Sequence, residues 1–192
     1  MTKQIGKNAP PMGVTPAVIL ENPKHAHNVA KTLRLCSCFG LKQLWWTGDR
    51  VQLADYQGKG KRLPREERMK GYKDVELVQF DRPSDHFKSR EFRECTVVGV
   101  ELTENAIPLD WMPHCVSPVF VFGPEDGSIG KVSRSFCHYM VTIPVRHCLN
   151  LATAVGITLW HWHMTQMKAG TRLSLDLAED RGVLRGEEEL FA

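Results

Sequence analysis

Residues 117–130 read SPVFVFGPEDGSIG. The first half, Ser117 to Gly123, is continuously apolar, as strands buried on both faces of a parallel sheet are. The second half, PEDGSIG, is a polar turn. Two neighbours repeat the design. TVVGVEL (Thr96 to Leu102) lies upstream and HYMVTIPV (His138 to Val145) downstream, and both read as strands. Further out, PAVILEN (Pro16 to Asn22), LKQLWWTG and, more weakly, VELVQF (Val75 to Phe80) carry short β-forming runs. Helical patterns stand between them. In HNVAKTLRLCSCFG, Val29, Leu33 and Cys36 recur at helical spacing and Gly40 sits where a helix stops. SDHFKSREFREC reads as a polar helix. Residues 148–167 hold the longest helical pattern, with Leu149, Ala152, Gly156, Leu159 and His163 on one face. Strands alternating with helices predict an α/β fold around a mainly parallel sheet. No repeat or linker divides the chain. The expected organisation is an arm over 1–14, one domain over 15–169 and an acidic tail over 170–192.

Composition narrows the class. The chain has 192 residues, 42% hydrophobic and 24% charged, with a net charge of +3, which excludes disorder and low complexity. No stretch of about 20 apolar residues offers a membrane span. The N-terminal MTKQIGKNAPPMGV lacks the apolar core of a signal peptide, so a cytoplasmic protein is expected. Six cysteines without a CxxC pair then read as reduced thiols, mostly buried, and not as a zinc site. The charge is uneven. GKGKRLPREERMKGYK, residues 58–73, holds seven basic and two acidic residues, whereas the chain from Ser174 onward holds six acidic and two basic. Charge runs are usually solvated surface, but a basic segment on a near-neutral chain also suits a polyanion.

Three loops follow predicted strands, at the sheet edge where open α/β proteins bind ligands. They are ENPKHAHN, GPEDGSIG and IPVRHCLN. None is a phosphate loop: Gly130-Lys131 is followed by Val132 where a Walker motif needs Ser or Thr, and no GxGxxG exists. No GxSxG marks a serine nucleophile. Cys148 and His147 are sequence neighbours and need not face each other. His161 and His163, two apart on a helix, point in different directions, against a shared metal.

Together the loops resemble the three motifs of the SpoU–TrmH branch of the SPOUT superfamily, the S-adenosylmethionine-dependent RNA ribose 2′-O-methyltransferases. Motif one is Asn, then Arg six residues on, then a small-residue run ending in Gly: here Asn28, Arg34 and Gly40. Motif two is an apolar strand ending in G-x-E-x-x-G: here VFVFGPEDGS, with Gly123 and Glu125, and with EDGS where a glycine-rich continuation is commoner. Motif three is I-P, a short gap, then S-L-N: here Ile143, Pro144, Leu149 and Asn150, with Cys148 where Ser is usual. The resemblance spans residues 16–165.

It implies a SPOUT-type fold with helices on both faces of the sheet and a C-terminal trefoil knot. It implies S-adenosylmethionine against Gly123, Ile143, Cys148 and Leu149, with Glu101 lining the same pocket. It implies Arg34 as the catalytic residue, oriented with the ribose by Asn28, Glu125 and Asn150. A guanidinium keeps its proton above pH ~12, so Arg34 is read as gripping a phosphate and the forming alkoxide, not as a base. A homodimer through the last helix is implied, with Trp160, Trp162, Met164 and Met167 off the Leu149 face. RNA becomes the expected polyanion, held by Lys59, Lys61, Arg62, Arg65 and Arg68. Trp45 and Trp46 stand open to base stacking, although core packing suits at least one of them because strand residues alternate faces. tRNA is the expected substrate. The alternatives are rRNA, a base methyltransferase of a related knotted family, and a knotted RNA-binding module without catalysis.

Overall fold

The computed structural model describes residues 16–51, 75–80, 95–115 and 117–168. The arm, the tail, the basic segment with Lys59, Lys61, Arg62, Arg65 and Arg68, and nearly all of the predicted polar helix lie outside the described residues.

In chain order the elements are β1 (Ala17–Glu21), α1 (Ala26–Cys38), β2 (Gln43–Thr47), β3 (Glu76–Phe80), β4 (Thr96–Val100), β5 (Ile107–Pro108), β6 (Pro118–Phe122), α2 (Lys131–Phe136), β7 (Tyr139–Thr142) and α3 (Leu151–Lys168). A 3-10 turn, Leu109–Trp111, follows β5. The strands form one sheet in the order β3-β2-β1-β6-β4-β7-β5, and all its pairings are parallel. The chain winds from β1 out to β3, then crosses back so that β6 lies beside β1. That reversal leaves a crevice beyond the carboxyl ends of β1 and β6, where doubly wound sheets place their ligands.

Alternation along the strands builds two apolar layers. Val18, Leu20, Leu44, Trp46, Val98, Phe120 and Phe122 face one side, where they meet Val29, Leu33 and Cys36 of α1 and Leu151, Val155, Leu159 and Trp162 of α3. Ala17, Ile19, Trp45, Val97, Val119 and Val121 face the other, with Ile129 and, from α2, Phe136. The expected helices on both faces are therefore present. Truncating a residue as deep as Phe120 would cost about 3–5 kcal/mol.

The stop at Gly40 works as expected. Its φ of 73° suits glycine. The Gly40 and Leu41 N–H groups donate to Ser37 O at 3.2 Å and Cys36 O at 2.9 Å, the double bond of a Schellman ending.

Several expectations need correction. The last helix starts at Leu151, not at residue 148, because Asn150 caps it: its Oδ1 accepts from the N–H groups of Ala152 (3.1 Å) and Thr153 (3.3 Å). Its buried face is Leu151, Ala152, Val155, Thr158, Leu159, Trp162 and Gln166. Leu149 therefore precedes the helix, and Gly156 and His163 flank the buried face. Trp162 is not part of a free face. It is buried, and its Nε1 donates to Cys115 O at 3.2 Å, beside Gln166 Nε2 at 3.1 Å. Trp45 and Trp46 are both buried, on opposite faces of β2, so neither is available to stack on a base. Of the six thiols, Cys36, Cys95 and Cys115 are buried, Cys137 is half-buried, and Cys38 and Cys148 are exposed; all are free.

Candidate active site

Four loops leave the carboxyl ends of β1, β4, β6 and β7 on one side of the sheet, and three of them carry the motif residues. Asn28 lies in the first turns of α1, only 1% exposed. It does not cap its helix. Its Nδ2 donates to Glu125 Oε1 at 2.6 Å, and its Oδ1 accepts from Asn150 Nδ2 at 3.0 Å. Asn150 in turn presents Oδ1 to the start of α3. Each amide is thus oriented by its partners: carboxylate to amide, amide to amide, amide to helix N-terminus. The relay ties together residues about 100 positions apart in sequence.

Glu125 is saturated as an acceptor. Besides Asn28, its Oε2 accepts the Lys24 N–H at 2.7 Å and its Oε1 the His25 N–H at 3.2 Å. Partial burial would raise its pKa, but these hydrogen bonds from Lys24, Asn28 and His25 outweigh it and hold the carboxyl below its ordinary value. Glu125 is therefore an anion with its lone pairs engaged, an orienting group and not a free base.

The neighbouring Asp126 turns the other way. Arg50 grips it with Nη1 and Nη2, at 2.9 to 3.0 Å, and Lys24 Nζ lies 3.2 Å away. These two cations, Arg50 first, hold Asp126 well below the carboxylate range.

A cleft opens beside the relay, with about 710 Å3 of empty space counting its open mouth. Glu101, Gly123, Ile143, Cys148 and Leu149, the five residues expected at the cofactor, all line it, together with Glu125. Its apolar wall is completed by Val100, Leu102, Phe122, Val145, Leu151 and Ala154. A Cβ on Gly123 would stand 2.7 Å from Ile129 N, so glycine lets the 123–129 loop close on itself. Glu101 is pinned by Arg134 of α2, whose Nη2 donates to Oε2 at 2.6 Å.

Among the described residues, the cleft lining holds two carboxylates and no lysine or arginine. That suits a ligand with a positive centre and a flat aromatic ring, as S-adenosylmethionine is.

Arg34 does not line the cleft. Six residues is 600° of helix, which sets it about 120° round α1 from Asn28, and its side chain is exposed. Sequence reading missed Lys24, Arg50, Asp126 and Arg134. Each acts through a fold-dependent ion pair, and no local pattern marks it.

Comparison with known proteins places this geometry. A model of the SpoU rRNA Methylase family matches residues 15–160. No curated protein matches the chain. Among solved structures, the A. aeolicus TrmH/SpoU tRNA modifying enzyme superposes with a TM-score of 0.69 at 19% identity, covering 84% of this chain and 80% of that one. The SpoU methyltransferase AviRb from Streptomyces viridochromogenes, in complex with the cofactor AdoMet, gives 0.69 at 19% identity, covering 82% of this chain but only 60% of that one. A structure concerned with 2-OH methylation of C/U34 on tRNA gives 0.65 at 18% identity, covering 81% and 97%. At such identities likeness establishes the fold. The match to the family model spans about three quarters of the sequence, with all three motif loops inside it, and so the chain belongs to the SpoU rRNA methylase family.

Proposed function

We propose that this protein transfers a methyl group from S-adenosylmethionine to a ribose 2′-hydroxyl of RNA, with tRNA as the substrate. The observation that carries the reading is the Glu125–Asn28–Asn150 relay, which joins the three motif loops beside a cleft suited to a cationic, partly apolar cofactor. The relatives of known structure that span most of this chain's fold include two concerned with tRNA.

Gly123, Ile143, Cys148 and Leu149 would hold the cofactor, with Glu101 facing its polar end. When bound, the cofactor supplies an electrophilic methyl on sulfonium. A ribose hydroxyl is a weak nucleophile until its proton leaves or is drawn away. The role of Arg34 is to hold an adjacent phosphate and stabilise the oxyanion as it forms. Asn28, Glu125 and Asn150 fix the loops that set the ribose in line with the methyl.

Arg34 does not line the cleft of its own chain, which fits an active site completed by a second copy. Ile157, Trp160 and Met167 form an exposed apolar stripe on α3; Trp160 is 56% exposed and Met167 57%. These residues lie on one side of the helix, and a dimer through them would cover the stripe. The protein would work in the cytoplasm, where its six free thiols stay reduced. Among the described residues no helix is long and apolar enough to cross a membrane.

The test is incubation with methyl-labelled S-adenosylmethionine and bulk tRNA, followed by alkaline digestion. Label in alkali-resistant dinucleotides is the expected result. Label in mononucleotides would identify a base methyltransferase. Label only with rRNA would move the substrate, and failure to bind the cofactor would leave an RNA-binding module.

A further inference from the structure

Adjacent carboxylates on the 123–130 loop reach in two directions. Glu125 takes hold of the start of α1 through Lys24 N, His25 N and Asn28. Asp126 takes hold of the turn after β2 through the Arg50 fork. Lys24 closes the circuit, since its N–H binds Glu125 and its Nζ pairs with Asp126. Arg50 also donates from Nη1 to Asn22 O at 3.5 Å, where β1 ends. Asn22 has a φ of 45°, and its N–H is tied to Thr47 O at 3.0 Å. The junction of β1, β2 and β6 is thus fastened beside the relay by a group outside the three motifs.

We infer that Arg50 and Asp126 form a positioning pair for the methyl transfer, holding the 123–130 loop in the one placement that brings Glu125 onto Asn28. The inference rests on the proposed reaction. The pair is solvent-exposed, with side chains 29% and 44% accessible, and such pairs contribute little to stability. Its value is geometric. A guanidinium bonded bidentately to a carboxylate fixes distance and plane together. A loop displaced by about 1 Å at a reaction site can cost on the order of a hundredfold in rate. Neither residue lines the cleft, but the loop they hold does, through Pro124, Glu125 and Gly127, so cofactor affinity weakens along with kcat.

The experiment measures kcat, KM for RNA, cofactor Kd and Tm for the full-length wild type, Arg50→Ala, Asp126→Asn, the double variant and Arg50→Lys. The expected result is a kcat reduced about tenfold in each of Arg50→Ala and Asp126→Asn, within the range that misplacement causes. Tm stays at its wild-type value, and cofactor Kd weakens by no more than the same factor. The double variant is no slower than either single one, because one interaction is lost in all three. Arg50→Lys keeps charge without the fork and falls between. Wild-type kcat in Arg50→Ala overturns the inference. So do losses that multiply in the double variant, or a change confined to KM for RNA, which would make Arg50 a phosphate contact. If the wild type methylates no RNA, the proposed reaction itself fails and the inference falls with it.

Discussion

Replacing Asn28 by Asp exchanges one heavy atom in the middle of the relay, an amide nitrogen for an oxygen, and changes little in its shape. Asn28 Nδ2 donates to an anionic oxygen at 2.6 Å from a site only 1% exposed. A charge-assisted bond of this kind contributes about 1.5–3 kcal/mol. The substitution removes it and sets two carboxylates face to face. At an effective dielectric near 20, unit charges about 4 Å apart repel by about 4 kcal/mol. Taking up a proton relieves that repulsion, and 2.6 Å is the length of an O–H···O⁻ bond. The pair should therefore share one proton, with its upper pKa raised above the ordinary carboxylate value. A carboxyl whose folded pKa is raised destabilises fully above that pKa, and the penalty fades as pH falls toward the unfolded value. In the wild type the Glu125 carboxyl is held below its ordinary value, so its contribution persists above the unfolded pKa and is lost only as pH falls through the lowered one. Between about pH 5 and 8 the Glu125 contribution is flat while the variant's deficit climbs with pH. We expect a deficit of about 3–4 kcal/mol at pH ~8, or about 8–12 °C in Tm for a chain of this size. It should shrink by about 1.4 kcal/mol per pH unit through the titration. Urea denaturation of both proteins at a series of pH values measures it. A deficit that is equal at every pH, or absent, would refute the relay as a buried, charged network.

Four further outcomes are expected. Arg34→Ala should abolish methyl transfer while leaving cofactor affinity and Tm unchanged, since the side chain is exposed and outside the cleft; normal turnover would remove Arg34 from the reaction. Asn150→Ala should cost about 1–3 kcal/mol by denaturant titration, combining a lost helix cap with a partner lost to buried Asn28. Gly123→Ala should weaken cofactor binding more than tenfold by calorimetry, because its Cβ would collide with Ile129 N and open the loop that forms the cleft floor. Trp160→Lys should turn a dimer into a monomer by sedimentation, whereas an unchanged mass would show that the stripe is not the interface.

The strands that build the sheet could be read from sequence because burial on both faces makes them continuously apolar, as VFVF and TVVGV are. The short pieces could not. β5 is two residues long, and α2 is a six-residue helix, KVSRSF, whose N-cap is Gly130, with no side-chain cap. Too little chain is present in either to show a period. α3 starts three residues later than the apolar pattern suggests, because Leu149 fits that pattern while the start signal is the Asn150 cap. Gly123, Ile143, Cys148 and Leu149 were legible because each sits in a motif beside a strand end, and Glu101 because it follows the apolar strand TVVGV. Arg34 was legible as a motif member, but its position relative to the cleft was not, since that depends on how α1 rolls against the sheet. Arg50 and Asp126 pair across 76 positions, and only the parallel order of β2, β1 and β6 brings them together.

The shortness of β5 has a consequence for how copies of this chain can meet. An exposed sheet edge invites a further strand, from a neighbour or from an aggregate, through its row of free amide and carbonyl groups. Beyond β7 the edge is two residues, and one of them is Pro108, which has no N–H to offer. At Pro108 an incoming strand would find no donor, so the outer strand of this edge is a poor template for strand addition.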